Sequence, residues 1–246
     1  MTKEASASFF ERKGIHNMRV VMIGDIYGTQ GVETLRHFLP EIRETYRPSL
    51  VLANAENATK GRGIDKKTYK ALMELGIGAL TMGNWVWGQH ELFRFIDDAN
   101  IVRPANFPDA PGQGFRTINV NGTTVMVVNL LGRTFMNPNI ECPFKTMDKI
   151  LDQHKADHVI VDIHAEATSE KVALGHYLDG RVDVVLGTHT HVPTADSRML
   201  PGGTLYQTDI GMTGPLDGVI GVKKDIVLDR FIKGFARPNE IAEGVM

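Results

Sequence analysis

Residues 184–191 read VVLGTHTH. Val184, Val185 and Leu186 have the apolar, β-branched character of a buried strand. Gly187 breaks the run, and His189 and His191 follow with one residue between them. Extended backbone sends residues i and i+2 to the same face. Two imidazoles are therefore expected side by side at a strand's carboxyl end, with Thr190 facing away in a structural role. Open α/β sheets bind their ligands at that end, and imidazole suits zinc, copper, iron and nickel. Taken alone, an H-x-H more often marks ordinary polar loop residues.

The rest of the chain repeats the pattern. Residues 19–24, RVVMIG, form an apolar run followed directly by Asp25. Val32, Leu35, Phe38, Leu39, Ile42 and Tyr46 then recur at helical spacing. An Asp that only caps its turn is the plain alternative for Asp25. Residues 49–53, SLVLA, give a second strand, ending in Asn54-Ala55-Glu56-Asn57. A helix is expected from about 65 to 75, with Asp65 as N-cap and Gly76 closing it. A third strand over 78–82 ends in Gly83-Asn84-Trp85, with a helix expected around 89–97. Asn121-Gly122 between two β-rich runs is a strong hairpin signal. A helix over 144–153 leads to a strand over 158–163 that ends at His164, with Glu166 just beyond. A helix over 169–178 then leads into VVLGTHTH. The tail returns to β character at 198–199, 204–207 and 225–232, and residues 234–246 are expected to be loosely attached or used in contacts. The class is α/β with an antiparallel pair added to the sheet.

The 246 residues contain 42% hydrophobic and 23% charged side chains with a formal net charge of −2. That fits a soluble globular protein and gives no bulk pull toward nucleic acid or anionic membrane. Cys142 is the single cysteine, which excludes an intramolecular disulfide and a cysteine-rich zinc site. No stretch approaches the ~20 apolar residues that span a bilayer. Residues 1–17 lack the apolar core of a signal peptide and read as a polar extension with a short helix around Phe9 and Phe10. Residues 18–246 read as a single domain, and the expected compartment is the cytoplasm.

Seven residues thus fall at strand ends: Asp25, Glu56, Asn57, Asn84, His164, His189 and His191. Mixed oxygen and nitrogen ligands without sulfur favour Mn, Fe or Zn over calcium. Seven ligands are too many for one ion with an open position. They suit two ions ~3.5–4 Å apart, bridged by a carboxylate and a hydroxide, a pair that clamps both oxygens of a phosphoryl transfer.

The segments GDIYG, ANAENATKGRGI, TMGNWVWG, DIHAEATSEK, VVLGTHTHVPTAD and QTDIGMTGP together resemble the metallophosphoesterases, specifically the YmdB-like cyclic-nucleotide phosphodiesterases. The resemblance implies a four-layer α/β/β/α sandwich with two mixed sheets and two divalent ions, Fe or Mn first and Zn next. It implies one ion held by Asp25, Glu56, Asn57 and His191. The other falls to Glu56, Asn84, His164 and His189, with Glu56 bridging. It further implies attack of a metal-bound hydroxide on a cyclic nucleotide or related phosphodiester, and a homo-oligomer.

One position departs from the family motif Gly-Asn-His, whose His resembles the proton donor to the leaving alcohol. Here it is Trp85, whose indole donates a hydrogen bond but does not titrate usefully. Losing a general acid commonly costs ~10²–10⁴ in rate. The catalytic positions are therefore Asn84 and Trp85. Trp85 either packs over the site rim or stacks on a nucleobase, and Arg62 is a further substrate contact or simply part of a flexible Gly61-Arg62-Gly63 loop. His90 is a weak candidate for the missing acid. The second reading is a metal-binding regulatory or interaction protein with weakened catalysis.

Overall fold

The computed structural model describes residues 7–10, 18–136, 139–235 and 237–244. Its strands in chain order are β1 Ala7–Phe10, β2 Val20–Ile23, β3 Asp25–Ile26, β4 Leu50–Asn54, β5 Ala79–Thr81, β6 Ile101–Val102 and β7 Phe115–Val120. There follow β8 Thr123–Leu131, β9 His158–His164, β10 Val184–Thr188, β11 Arg198–Met199, β12 Leu205–Gln207 and β13 Met212–Thr213. The α-helices are α1 Gly28–Tyr46, α2 Lys66–Glu74, α3 Pro143–Gln153, α4 Thr168–Leu178 and α5 Lys224–Lys233.

Two sheets dominate. One has the order β1-β2-β4-β5-β6, the other β11-β12-β10-β9-β8-β7. Each is mixed. In the first, β2, β4, β5 and β6 run parallel and β1 joins antiparallel. In the second, β8, β9, β10 and β12 run parallel, with β7 and β11 antiparallel at the edges. Three apolar layers explain the stacking. Val21, Ile23, Val51 and Ala53 pack with Leu35 and Leu39 of α1 and Leu72 of α2. Val128, Val161 and Val185 pack with Met147 of α3 and Leu174 of α4. Between them Met22, Leu50 and Leu52 of one sheet meet Val125, Val127 and Ile160 of the other. Strands buried on both faces read as continuous apolar runs, as these do. The result is the expected four-layer α/β/β/α sandwich, and it turns the parallel strand ends of both sheets toward one edge.

The Asn121-Gly122 turn has φ of 53° and 88° and joins β7 to β8, as its sequence requires. Asp65 caps α2, its Oδ1 accepting from the Thr68 N–H at 2.7 Å. Ile241 bridges Val222 and Ala242 is buried, so part of the tail serves as a contact.

Three expectations are corrected. Residues 225–232 lie in helix α5, not a strand. Ile226 and Val227 are its buried apolar pair, and left-handed Gly234 ends it. The helix expected around 89–97 is instead three short 3₁₀ turns, Val86–Gly88, His90–Arg94 and Ile96–Asp98. Gln89 is extended and Phe95 non-helical, so no continuous α-helix can form. Around Phe9 and Phe10 there is strand β1, not a helix, because the open edge of β2 offers a backbone ladder. The remainder of the expected 1–17 extension lies outside the described residues. Among the described residues, no helix is long and apolar enough to cross a membrane.

Candidate metal centre

The seven strand-end residues form one connected set across the two sheets. Asp25 opens the short strand β3, one glycine after β2 and paired with β13, while the first sheet gives Glu56 and Asn57 after β4 and Asn84 after β5. From the second come His164, the last residue of β9, and His189 and His191 beyond β10. His164 Nε2 lies 3.0 Å from Glu56 Oε1, 3.1 Å from Asn84 Oδ1 and 3.0 Å from His189 Nδ1. His191 Nε2 lies 3.1 Å from Asn57 Oδ1 and 3.9 Å from Asp25 Oδ1. Asp25 Oδ1 is also 3.9 Å from His164 Nδ1. Gly83 is required here: a Cβ at that position would collide with Glu56 Oε2 and the His164 ring.

The expected route to the two loop imidazoles needs correction. His189 and His191 are not side by side by strand alternation, because β10 stops at Thr188. Both have positive φ, 102° and 65°, a conformation uncommon outside glycine and concentrated at functional sites. The left-handed turns send His189 toward His164 and His191 toward Asn57. Their backbone is held by surrounding acceptors. The His189 N–H donates to Asp25 Oδ2 at 3.1 Å. Thr190 donates through its N–H and hydroxyl to Asp209 Oδ2, at 3.1 and 2.7 Å, the structural role expected of it.

The second nitrogen of each histidine fixes its tautomer. Thr188 gives its hydroxyl proton to Asp162 Oδ1 at 2.7 Å, so its oxygen accepts the His164 Nδ1 proton at 2.8 Å. Glu166 Oε2, 3.1 Å from His189 Nε2, can only accept while ionised, and the Ile220 carbonyl, 3.0 Å from His191 Nδ1, only accepts. Lone pairs are therefore left on His164 Nε2, His189 Nδ1 and His191 Nε2, all facing inward. Such outer partners orient metal-binding histidines generally.

Electrostatics point the same way. Burial pushes Asp25 up to about 7, with Glu56 and Asp209 adding repulsion. Burial likewise raises Glu56 to about 7 and Asp162 to about 6. Burial lowers His164 and His191, and burial and then His164 bring His189 down to about 4. Burial thus works against the charged form of both partners in the short His164–Glu56 contact. Crowded carboxyls and imidazoles with inward lone pairs are the donor set that a cation would satisfy.

The donor set fits divalent ions. Glu56, His164 and His189 offer ligand atoms all within 4.8 Å of one another. Neighbouring ligands on an octahedral ion with ~2.1 Å bonds stand about 3 Å apart, the spacing around His164 Nε2. Among the described residues, the buried Asp25 Oδ1 has no hydrogen-bond partner, a costly state for a carboxylate oxygen unless an ion takes it.

Sequence reasoning missed the supports. Asp162 is buried, accepting from Asn54 at 3.2 Å and Thr81 at 2.5 Å as well as from Thr188. An acid inside the apolar run HVIVDIH was the available signal. Lys171 of α4 is wholly buried, its Nζ 2.7 Å from Asp209 Oδ2. The local pattern gave no sign of this pair. Of the remaining expectations, Trp85 sits at the rim, 36% exposed, with its backbone N–H donating to Glu56 Oε2 at 2.9 Å. Arg62 lies with its guanidinium 4.0 Å from the Trp85 ring centroid. His90 is exposed against Phe93 and makes no contact with the set.

The comparisons agree with this geometry. The family described as YmdB-like protein matches residues 21–246. A Bacillus subtilis (strain 168) relative named 2′,3′-cyclic-nucleotide 2′-phosphodiesterase is 45% identical over 92% of this chain and 87% of its own. A hypothetical protein from Thermus thermophilus superposes with a TM-score of 0.89 at 46% identity, covering 92% of this chain and 89% of that one. A structure described as a novel phosphatase from Mycoplasma pneumoniae gives 0.88 at 36% identity, over 92% and 83%. The sandwich is the metallophosphoesterase fold, and the chain belongs to the YmdB-like family.

Proposed function

We propose that this chain is a metal-dependent phosphodiesterase acting on 2′,3′-cyclic nucleotides or related phosphodiesters. The observation that carries the proposal is the convergence of Glu56, Asn84 and His189 on His164 Nε2 at 3.0–3.1 Å. Beside it stands Asp25 Oδ1, which accepts no hydrogen bond among the described residues. The relative named as a cyclic-nucleotide phosphodiesterase supports the substrate class.

Asp25, Glu56, Asn57 and His191 would hold one ion and Glu56, Asn84, His164 and His189 the other, with Glu56 shared. Donors of oxygen and nitrogen without sulfur suit Fe or Mn, then Zn. Bound there, such a pair supplies Lewis acidity toward the phosphoryl oxygens and a water acidic enough to attack phosphorus near neutral pH. The protein's own part is positional. Thr188, Glu166 and the Ile220 carbonyl hold three imidazoles in the ligating tautomer. The Trp85 backbone N–H fixes one Glu56 oxygen while the other faces His164.

The Trp85 indole N–H can donate a hydrogen bond but does not act as a general acid toward a departing alkoxide. The leaving oxygen takes its proton from solvent, so turnover depends steeply on the leaving group. This also favours the second reading, a metal-binding regulatory protein with weakened turnover.

The test compares three substrates with chelated and Mn²⁺- or Fe²⁺-loaded protein: bis(4-nitrophenyl) phosphate, 2′,3′-cyclic AMP and 4-nitrophenyl phosphate. We expect metal-dependent hydrolysis of both diesters, the activated one at least ~10²-fold faster, the lower end of a general acid's worth. The monoester should lag behind both. Failure on both diesters with the metals bound would overturn the enzyme reading in favour of the regulatory one.

A further inference from the structure

Two loops at the rim of the centre are locked together backbone to backbone. Gly63 and Gly88 face each other so closely that a Cβ on either would meet the other loop's main chain. Gln89 Nε2 donates to the Arg62 carbonyl at 2.8 Å, and the Arg62 N–H donates to Thr59 O at 2.9 Å. The loop carrying Arg62 also hangs on the candidate ligands. The Gly63 N–H donates to the Glu56 carbonyl, and Asn57 Nδ2 donates to Gly61 O at 3.0 Å while its Oδ1 faces His191. The other loop carries Trp85, one residue past Asn84.

This double anchoring presents the Arg62 guanidinium against the indole at 4.0 Å. Trp gives the strongest cation–π partner among the aromatics. Among the described residues, no carboxylate or carbonyl accepts from the Arg62 side chain, so its N–H fork is available.

Building on the proposed phosphodiesterase site, we infer that Arg62 is its phosphate-binding residue and that Trp85 is the residue that positions Arg62. Guanidinium is always charged, and its planar fork matches two phosphate oxygens at once. The pair binds and orients the anion and supplies no acid. The guanidinium covers one face of the indole, which turns Trp85 from a nucleobase platform into a support for the cation. The anion recognised is the phosphoryl group itself, with any nucleobase left outside this contact.

The test is calorimetric titration of Mn²⁺-loaded protein with inorganic phosphate, alongside steady-state kinetics on bis(4-nitrophenyl) phosphate. Arg62→Ala should weaken phosphate ~10–100-fold, the worth of a charge-assisted hydrogen-bond pair, and raise KM more than it lowers kcat. Arg62→Lys should recover only part of the loss. Trp85→Ala should cost ~2–5-fold, the worth of an exposed cation–π contact, and add nothing in the Arg62→Ala background. Trp85→Phe, which keeps an aromatic face, should stay near wild type. Unchanged phosphate affinity in Arg62→Ala, full additivity of the two alanine variants, or loss of bound metal in Arg62→Ala would overturn the inference. Phosphate binding through Arg62 without diester turnover would instead overturn the proposed activity and leave this inference standing.

Discussion

The five-stranded sheet, with the short strand β3 beside it, meets the candidate centre with oxygens, and the six-stranded sheet meets it with imidazoles. The oxygen side needs little support. Asp25 opens β3 one residue past β2, Glu56 and Asn57 sit in the turn after β4, and Gly83 clears space so that Asn84 and Glu56 can approach His164. The imidazole side needs much more. Two of its three residues have left-handed backbone, and all three need their outer nitrogen occupied. A buried scaffold supplies this, with Asp162 and Thr188 behind His164 and Lys171 and Asp209 behind the His189–His191 turn. Carboxylates and amides present two equivalent edges or a simple carbonyl, whereas imidazole must be both aimed and held in one tautomer.

Glu56 joins the two sides, and its loss should have the largest effect. Glu56→Gln should reduce bound metal at both positions and lower diester hydrolysis by more than the ~10–100-fold typical of a supporting residue. Elemental analysis beside the diester assay checks this, and a variant that keeps two ions per chain would break the bridging assignment. Next comes the imidazole scaffold. Lys171→Met leaves Asp209 buried without its cation, a change that typically costs ~3–5 kcal/mol. Urea unfolding should show that loss, and adding Asp209→Asn should return much of it. A further step down is Thr188→Val, which frees the His164 tautomer while barely changing volume. It should weaken the metal at His164 by ~10–100-fold, read by competition with a chelating dye, while the position at Asp25 and His191 is little altered. Equal weakening at both positions would mean that the two sides are not separable. The smallest effect belongs to His90→Ala, expected to change diester turnover by less than about 2-fold, the ordinary size of an exposed substitution. A drop in kcat at that position would give the missing acid an owner.

The oxygen side was legible because Asp25, Glu56 and Asn84 interrupt apolar runs, and burial of the flanking strand fixes where each must emerge. His164 was legible for the same reason. His189 and His191 were found as residues but with the wrong geometry, because alternation holds only inside a strand and β10 ends at Thr188. Asp162 left a signal as an acid in an apolar run, but its partner Thr188 lies 26 residues on, and the Lys171–Asp209 pair, 38 residues apart, left none. In α5 the run Ile226, Val227, Leu228, Phe231 and Ile232 satisfies both helical and strand spacing, and only the left-handed Gly234 and the burial of Ile226 and Val227 decide it. Trp85 and Arg62 were visible separately. Their pairing depends on the close approach of Gly63 and Gly88, two loops that no local pattern links.

The most direct measurement is a calorimetric titration of chelator-stripped protein with Mn²⁺, with hydrolysis of bis(4-nitrophenyl) phosphate followed at each addition. A centre built from both sheets predicts two ions per chain, with activity absent in the stripped protein and appearing as the sites fill. Diester hydrolysis that persists undiminished in the stripped protein, or saturation at a single ion with full activity, would contradict it.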